Sequence, residues 1–152
     1  MTNTNIDLSL NVGEDDLNIR VAILIKTKNG YILEKNEKFS YYFLVGGRIK
    51  INETSSEVTK REIKEEIDLD INEEDLEFKS IIENFFTYEI GNVKTHEICF
   101  LYELKKELEN INLKNNFVEY TLKEIKNLEI RPTILQKLLL EEKMPTHVIH
   151  KV

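Results

Sequence analysis

The most informative segment of the chain spans residues 46–70 and reads GGRIKINETSSEVTKREIKEEIDLD. Its centre carries a helix start signal, because Thr54 is followed three residues later by Glu57. In such a capping box, the hydroxyl of the first residue and the carboxylate of the fourth each satisfy a backbone N–H at the helix start. The pattern predicts about four turns of helix that continue to about Ile67.

Three glutamates converge on one side of this predicted helix. With 3.6 residues per turn, Glu62, Glu65 and Glu66 share a face, whereas Lys60 and Lys64 lie on the other side. Like charges at this spacing repel one another, so at least one of the three carboxyl groups is expected to have a raised pKa. The ordinary interpretation of a glutamate-rich helix is a solvated acidic face. Because the lysines of the same helix are turned away, we instead interpret the three glutamates as unpaired ligands of a divalent cation.

The segment before the helix fits the same interpretation. Mg²⁺ prefers oxygen ligands, takes few carboxylates, and completes its coordination with water and substrate phosphate oxygens. Gly46 and Gly47 allow the backbone to approach a ligand or metal closely, where a Cβ atom would obstruct. Glu53 precedes the helix on the loop that leads back to the same end. The sequence therefore predicts a Mg²⁺ site at the junction of glycine loop and helix.

Taken together, these positions resemble the Nudix box, whose pattern is G-x5-E-x7-R-E-U-x-E-E-x-G-U, with U aliphatic. Gly47, Glu53 and the run REIKEEIDL at residues 61–69 match every fixed position except one, because Asp68 stands where the box has glycine. That position ends the helix in a left-handed conformation, which aspartate adopts more readily than most residues. The resemblance covers roughly residues 18–142 and implies the α/β/α sandwich of the Nudix family.

The Nudix resemblance implies an enzyme that hydrolyses a diphosphate linked to another moiety, commonly a nucleoside diphosphate derivative, by attack of water at phosphorus. It also implies a Mg²⁺ or Mn²⁺ cofactor and roles for the matching residues. The metal ligands would be Glu62, Glu65, Glu66 and the backbone carbonyl of Gly47. Arg61 would orient the glutamates, and Glu53 would be an outer ligand or a brace for the helix start.

The sequence leaves the general base open, because the family places it at different positions. Glu65 is the first candidate and Glu97 the second. Glu107 and Glu109 lie in a hydrophilic segment that could swing toward the site. The simpler interpretation of Glu97 and its neighbour His96 is that both face solvent from a strand.

Composition limits the classes of partner. The 152 residues are 41% hydrophobic and 32% charged, as is ordinary for one globular domain, and the formal net charge is −7. This negative charge argues against binding of duplex nucleic acid. The lone Cys99 excludes an internal disulfide, and its apolar neighbours favour a buried small hydrophobe over a nucleophile. No apolar run or signal peptide suggests a membrane partner, so we expect a cytoplasmic protein.

The order of the predicted elements indicates an α+β fold with a mixed sheet between helices. Residues 1–17 are expected to form a loose N-terminal arm, with a short strand near residues 6–10, and residues 18–152 a single domain. Phe85 and Phe86 are expected in the core, and the hydrophilic segment 105–116 is expected to be a mobile loop. Strands are predicted within residues 18–26, 31–33, 41–45, 76–86, 96–103, 117–120 and 148–149, and further helices after Thr121 and Thr133.

The alternative from a different class is a Nudix domain that binds or senses a nucleotide with weak or no turnover. Such domains typically lose glutamates of the box, whereas all four are present here, so hydrolysis is favoured. The isomerases that share the fold have no specific support in this sequence. The substrate stays open among nucleoside triphosphates, ADP-ribose, nucleotide sugars, dinucleoside polyphosphates and coenzymes. A homodimer is also compatible with the sequence.

Overall fold

The computed structural model describes residues 5–114 and 116–152. Within this part of the chain it contains eight β-strands, three α-helices and a 3₁₀ turn at Glu73–Asp75. The strands are β1 (Ser9–Val12), β2 (Asp15–Leu24), β3 (Gly30–Lys35), β4 (Tyr42–Arg48), β5 (Leu76–Thr87), β6 (Lys94–Leu104), β7 (Phe117–Thr121) and β8 (His147–Lys151). The helices are α1 (Ser55–Ile67), α2 (Leu122–Ile125) and α3 (Ile134–Glu141). None of the helices in the described ranges is long and apolar enough to cross a membrane.

The strands form one mixed sheet in the order β7-β3-β4-β2-β6-β5-β8, and β1 pairs with β2 outside this path. β2 runs parallel to β6, and β5 runs parallel to β8. The other neighbouring pairs are antiparallel. β2 therefore lies at the centre, between β6 and the strand β4 that carries Gly46 and Gly47.

Helices cover both faces of this sheet. On one face, Ile63 of α1 packs in an apolar cluster with Ile23 of β2. On the opposite face, Leu135 of α3 packs with Ala22 and Leu24 of β2. Successive residues of β2 reach the two cores because side chains alternate along a strand. The predicted α+β fold, with a mixed sheet between helices, is confirmed.

Both ends of α1 follow the sequence prediction. The N–H of Glu57 donates to Thr54 Oγ1 at 3.2 Å, and the N–H of Thr54 donates to Glu57 Oε2 at 2.8 Å, which completes the capping box. At the other end, Asp68 adopts the left-handed conformation with φ 59° and ψ 39°. Its N–H donates to the carbonyl oxygen of Lys64, so the helix ends where the sequence indicates.

The described part of the N-terminal segment is paired rather than loose. β1 and β2 form a hairpin through Gly13, whose φ of +68° favours glycine. β2 begins at Asp15, earlier than the predicted residue 18, and an isolated bridge joins Asp7 to Lys50. The expectation of a loose arm is therefore wrong for residues 7–17, whereas residues 1–4 lie outside the described ranges. The division into an arm and a domain at residue 17 stays a prediction.

The hydrophilic segment 105–116 is also tied to the domain. The N–H of Leu108 donates to the carbonyl oxygen of Lys26 at 2.9 Å, and Leu108 is buried in the cluster beneath α1. Ile111 and Leu113 pack against the same cluster. The expectation of a mobile loop is wrong for these residues, because three spaced apolar side chains hold the segment down; Asn115 lies outside the described residues.

Candidate active site

Two glycines at the end of β4 let the backbone pass directly beside α1. A Cβ atom on Gly47 would overlap the carboxylate of Glu62. A Cβ atom on Gly46 would overlap the carbonyl oxygen of Val21 in the neighbouring strand β2. Glycine at position 47 therefore lets the Glu62 carboxylate of the helix lie against the sheet backbone, and glycine at position 46 lets β4 approach β2 closely. The predicted approach of this backbone to a metal stays a prediction.

Arg61 contacts three acidic side chains of this site. Its Nε donates to Glu53 Oε2 at 3.1 Å, and its Nη1 donates to Glu62 Oε1 at 2.8 Å. Nη1 also lies 3.5 Å from Glu65 Oε2, and Nη2 donates to the carbonyl oxygen of Arg48 at 3.1 Å. The expectation of three unpaired carboxylates is therefore wrong for Glu62 and Glu65. The i, i+4 spacing of Arg61 and Glu65 already indicates one of these contacts, whereas the contact between Arg61 and the adjacent Glu62 required the structure.

Glu66 is the most perturbed carboxyl group of the site. Its Oε2 accepts a hydrogen bond from the N–H of Gly46 at 3.3 Å. Burial raises the pKa of Glu66 to about 8, and the charges of Glu62 and Glu34 add to this effect. Burial also raises the pKa of Glu62, although Arg61 opposes the shift. The prediction of a raised pKa among the crowded glutamates holds for Glu66, but the main cause is burial, and repulsion by Glu62 comes second.

Arg20 and Glu34 belong to the surroundings of the site and were not predicted from the sequence. Burial alone would lower the pKa of Arg20, but neighbouring acidic groups, led by Glu97 and including Glu66, raise it above its ordinary value. Burial raises the pKa of Glu34, and the Glu34 charge contributes to the raised pKa of Glu66. The sequence does contain a signal for Arg20 and Glu34, because each charged residue lies next to the apolar run of a predicted strand, and that run is buried in the structure.

The donors present fit a hard divalent cation, although the described residues contain no group of three Asp, Glu, His or Cys side chains already arranged to hold one. The carboxylates of Glu62 and Glu66 lie against Gly46 and Gly47, here called the glycine segment of β4. The Glu62 carboxylate occupies the space that a Cβ atom on Gly47 would fill. Carboxylate oxygens are the ligands that Mg²⁺ prefers. A cation there would replace the proton that burial and crowding favour on Glu66. Glu65 is less enclosed, since its side chain is 55% exposed.

A cavity of about 450 Å³ opens next to this site, on the face of the sheet that carries α3. Arg131 lies over the Tyr41 ring at 4.8 Å. Ala22 lines the cavity and is paired across the sheet with Gly46, so the cavity adjoins the glycine segment. Its aromatic walls are formed by Phe39, Tyr41, Phe43, Phe86 and Tyr88, and its polar lining includes Arg20, Asn84 and Glu97.

The exposure of Glu97 and of the two phenylalanines of β5 differs from what the sequence led us to expect. Glu97 is only 6% exposed and lines the cavity, whereas His96 is exposed and lies 4.3 Å from the Phe85 ring. Successive strand residues point to opposite faces, and the face of β6 that carries Glu97 lines the cavity, so only His96 faces solvent. Phe85 and Phe86 are partly exposed rather than buried in the core, and Phe86 lines the cavity. The structure thus brings Glu97 into a pocket and leaves its catalytic role a prediction.

Comparisons with known proteins agree with this fold. The model of the NUDIX domain family matches residues 16–139. A MutT protein from Bacillus halodurans has a structure similar to this chain with a TM-score of 0.65 and 14% identity, covering 86% of this chain and 85% of that one. The E. coli dihydroneopterin triphosphate pyrophosphohydrolase gives a TM-score of 0.56 and 15% identity, with 82% and 96% covered. Curated protein sequences gave no match.

A third similar structure is that of a bifunctional NMN adenylyltransferase/ADP ribose pyrophosphatase from Francisella tularensis. It has a TM-score of 0.57 and 19% identity, and the similarity covers 87% of this chain and 42% of that one. At these identities, the structural likeness establishes the fold. Because the family match spans most of the sequence, the chain belongs to the NUDIX domain family and is a Nudix hydrolase.

Proposed function

We propose that the protein is a divalent-metal-dependent pyrophosphohydrolase that cleaves a phosphoanhydride bond in a nucleoside diphosphate linked to another moiety. This proposal rests on one observation: the carboxylates of Glu62 and Glu66 both lie against the glycine segment of β4. Glu62 has Arg61 as a partner, whereas Glu66, which is buried beside the Glu62 charge, is poorly suited to stay ionised without a cation. They are well suited to hold one that also binds substrate phosphate oxygens.

The residues of the Nudix box have two separate roles, to bind the cation and to orient its ligands. Mg²⁺ or Mn²⁺ would be held by Glu62, Glu65, Glu66 and the backbone carbonyl of Gly47. When bound, the cation supplies neutralisation of charge on the non-bridging phosphate oxygens. Arg61 positions the acidic side chains, and Glu53 braces Arg61 through the 3.1 Å contact at Nε. Removal of Glu53 is therefore expected to act through Arg61 rather than through the substrate.

Glu65 is our candidate for the general base. Arg61 Nη1 lies 3.5 Å from Glu65 Oε2, and the side chain is 55% exposed, so water can reach this carboxylate. As the water oxygen bonds to phosphorus, the bridging P–O bond breaks and the proton of the water passes to the Glu65 carboxylate. Glu97, the second candidate, lies on β6, two strands and therefore about 10 Å from β4, which favours Glu65.

Several structural neighbours have names that contain the word hydrolase, pyrophosphohydrolase or pyrophosphatase. They include the dihydroneopterin triphosphate pyrophosphohydrolase, the ADP ribose pyrophosphatase and a C. elegans Ap4A hydrolase, which has a TM-score of 0.51 and 16% identity, with 74% of this chain and 86% of that chain covered. Their names motivate a small nucleotide-derived substrate for this chain. They do not distinguish among the substrates named above, because the likeness concerns the fold.

The test is a panel of diphosphate-containing compounds, incubated with Mg²⁺ or with Mn²⁺ and analysed by mass spectrometry. The panel should contain nucleoside triphosphates, ADP-ribose, nucleotide sugars, dinucleoside polyphosphates and coenzymes. We expect at least one to be split at a phosphoanhydride bond, with loss of activity in chelator. Glu74→Gln, which changes an exposed carboxylate outside the site, is the control for non-specific effects of removing a charge. Absence of cleavage throughout the panel would favour a nucleotide-binding domain without turnover.

A further inference from the structure

β8 forms one end of the sheet, and no strand within residues 5–114 and 116–152 lies beyond it. On its inner side it pairs in parallel with β5, which accepts a hydrogen bond from the Val152 N–H at 3.1 Å and donates one to the Thr146 carbonyl oxygen at 3.0 Å. Because such bonds alternate along a parallel strand, the N–H and C=O groups of His147, Ile149 and Lys151 point away from β5. The outer edge of β8 therefore presents backbone groups that can pair with another strand.

The opposite end of the sheet, β7, is protected against such pairing. The N–H of Lys35 donates to the carbonyl oxygen of Asn116 at 2.8 Å, which fixes the phase of the antiparallel ladder between β3 and β7. The backbone groups of Glu119 and Thr121 therefore point outward. The Thr121 N–H already donates to Glu124 Oε2 at 2.8 Å, and pairing of β7 with itself about Glu119 would place two carboxylates opposite each other. β7 is thus the less suitable edge.

The free edge of β8 is complementary to a second copy of itself. β8 has five residues, and Ile149 is the central one. In an antiparallel pair centred on Ile149, this residue faces its own copy, and His147 faces Lys151 of the second copy. All three residues direct their backbone groups outward, so the two copies can exchange about six hydrogen bonds. A two-fold axis at Ile149 closes this contact between two copies.

The side chains of β8 suit the same contact. Ile149 is 65% exposed, and two such side chains directly opposite each other bury apolar surface. The net charge of the chain is −7, but residues 143–152 contain two lysines, two histidines and no acidic residue. His147 contacts the Glu83 carboxylate of β5, so Lys151 of the second copy would lie opposite a histidine that is paired with a carboxylate. The charges are therefore complementary, and no two carboxylates face each other.

We propose that β8 is an interface at which a second copy of this chain pairs in antiparallel register about Ile149, so that the two sheets join into one. Three strands separate β8 from β4, and the inference therefore does not depend on metal binding or hydrolysis. A single edge of five residues is small compared with the roughly 1,600 Å² of a standard protein interface, so we expect a weak and reversible dimer.

Sedimentation equilibrium of the full chain, from about 10 µM to about 1 mM, tests this interface. We expect the mass to rise with concentration from that of the 18.0 kDa chain toward twice this value and no further, because a two-fold contact closes on itself. A monomer throughout the range would overturn the inference. Growth beyond the dimer would also overturn it, since it would indicate head-to-tail contacts between different edges.

Substitutions at the centre of β8 assign the dimer to this edge. Ile149→Pro removes an outward N–H and leaves the bonds to β5 in place, so we expect a folded monomer, as judged by circular dichroism. Ile149→Glu changes an exposed side chain and places two carboxylates opposite each other, so it should also be monomeric. Glu119→Pro, which removes an outward N–H from β7, is the matched control and should dimerise like the wild type.

Either of two results would contradict the assignment to β8. One is wild-type dimerisation of Ile149→Glu, which decides the question even if Ile149→Pro does not fold. The other is loss of the dimer in Glu119→Pro, which would move the interface to β7.

Single cysteines test the register of the pair. The two copies of residue 149 would lie directly opposite each other, with Cα atoms about 5.5 Å apart, which a disulfide can span. Ile149→Cys should therefore form a covalent dimer with oxidised glutathione, as seen on a non-reducing gel. In the control, His147→Cys, the two new cysteines would lie about 13 Å apart along the strands and should not cross-link. The native Cys99 is buried in both variants. Stronger cross-linking of His147→Cys than of Ile149→Cys would refute the proposed register.

Discussion

Replacing Glu66 by glutamine is expected to stabilise the metal-free protein at alkaline pH. Burial, reinforced by the charges of Glu62 and Glu34, raises the pKa of Glu66 from 4.5 to about 8. The folded protein therefore holds a proton that the unfolded chain has released between these values. Its contribution to stability is complete below about pH 4.5 and is lost as the pH rises through about 8. Glutamine has the same shape and does not ionise, so the variant avoids this loss.

The structure bounds the magnitude of this effect. The difference between 4.5 and about 8 corresponds to about 5 kcal/mol of unfolding free energy. Glu66 is still partly exposed, so solvent screening reduces this figure, and we expect roughly 2 kcal/mol between about pH 5 and about pH 9. For a domain of this size, that corresponds to a difference in melting temperature of about 4–8 °C.

The assay is urea unfolding in chelator, followed by circular dichroism at about pH 5 and about pH 9, for wild type and Glu66→Gln. Glu65→Gln is the matched control, because its carboxylate is 55% exposed and paired with Arg61. This control should follow the pH dependence of the wild type. The reasoning is refuted if Glu66→Gln loses as much stability with rising pH as the wild type does.

Three further substitutions test individual features of the fold and site. Gly47→Ala should cost about 1–3 kcal/mol of stability and abolish activity, because the new Cβ overlaps Glu62; an unchanged thermal melt would show that this carboxylate moves freely. Asp68→Gly should raise the melting temperature by about 1–3 °C, since glycine adopts the left-handed conformation at less cost, whereas a lower value would show that the Asp68 side chain is needed. Leu108→Ala should cost about 2–3 kcal/mol in urea unfolding, and an unchanged stability would restore the mobile-loop expectation for that segment.

Local signals were sufficient to predict α1 in detail. Thr54 and Glu57 act within one turn of helix, and Asp68 ends the helix through its own backbone conformation, so no distant residue was needed to predict either end. The strands were found for a similar reason, because runs of apolar and β-branched residues mark them directly. The order of strands in the sheet and the pairing of β1 depend on long-range contacts, which a single sequence does not display.

The side-chain arrangement of the site was less predictable. Helical spacing places Glu62, Glu65 and Glu66 on one face and pairs Arg61 with Glu65 at i+4. It does not show that Arg61 also reaches Glu62, or which carboxylate the sheet encloses. The burial of Glu97 depends on which face of β6 meets α3, and this follows from packing rather than from local sequence. The metal site was therefore located by motif, whereas the cavity beside it required the three-dimensional structure.

The most direct test of metal-dependent hydrolysis at the glycine segment is the rate of cleavage of the best panel substrate in water enriched in ¹⁸O, with and without Mg²⁺. Wild type, Glu62→Gln, Glu66→Gln and the Glu74→Gln control should be compared. We predict one ¹⁸O atom in a phosphate product, no turnover in chelator, and a loss of on the order of a hundredfold or more in the two site variants, with the control unaffected. Full activity in chelator, or near wild-type rates in both Glu62→Gln and Glu66→Gln, would contradict the account.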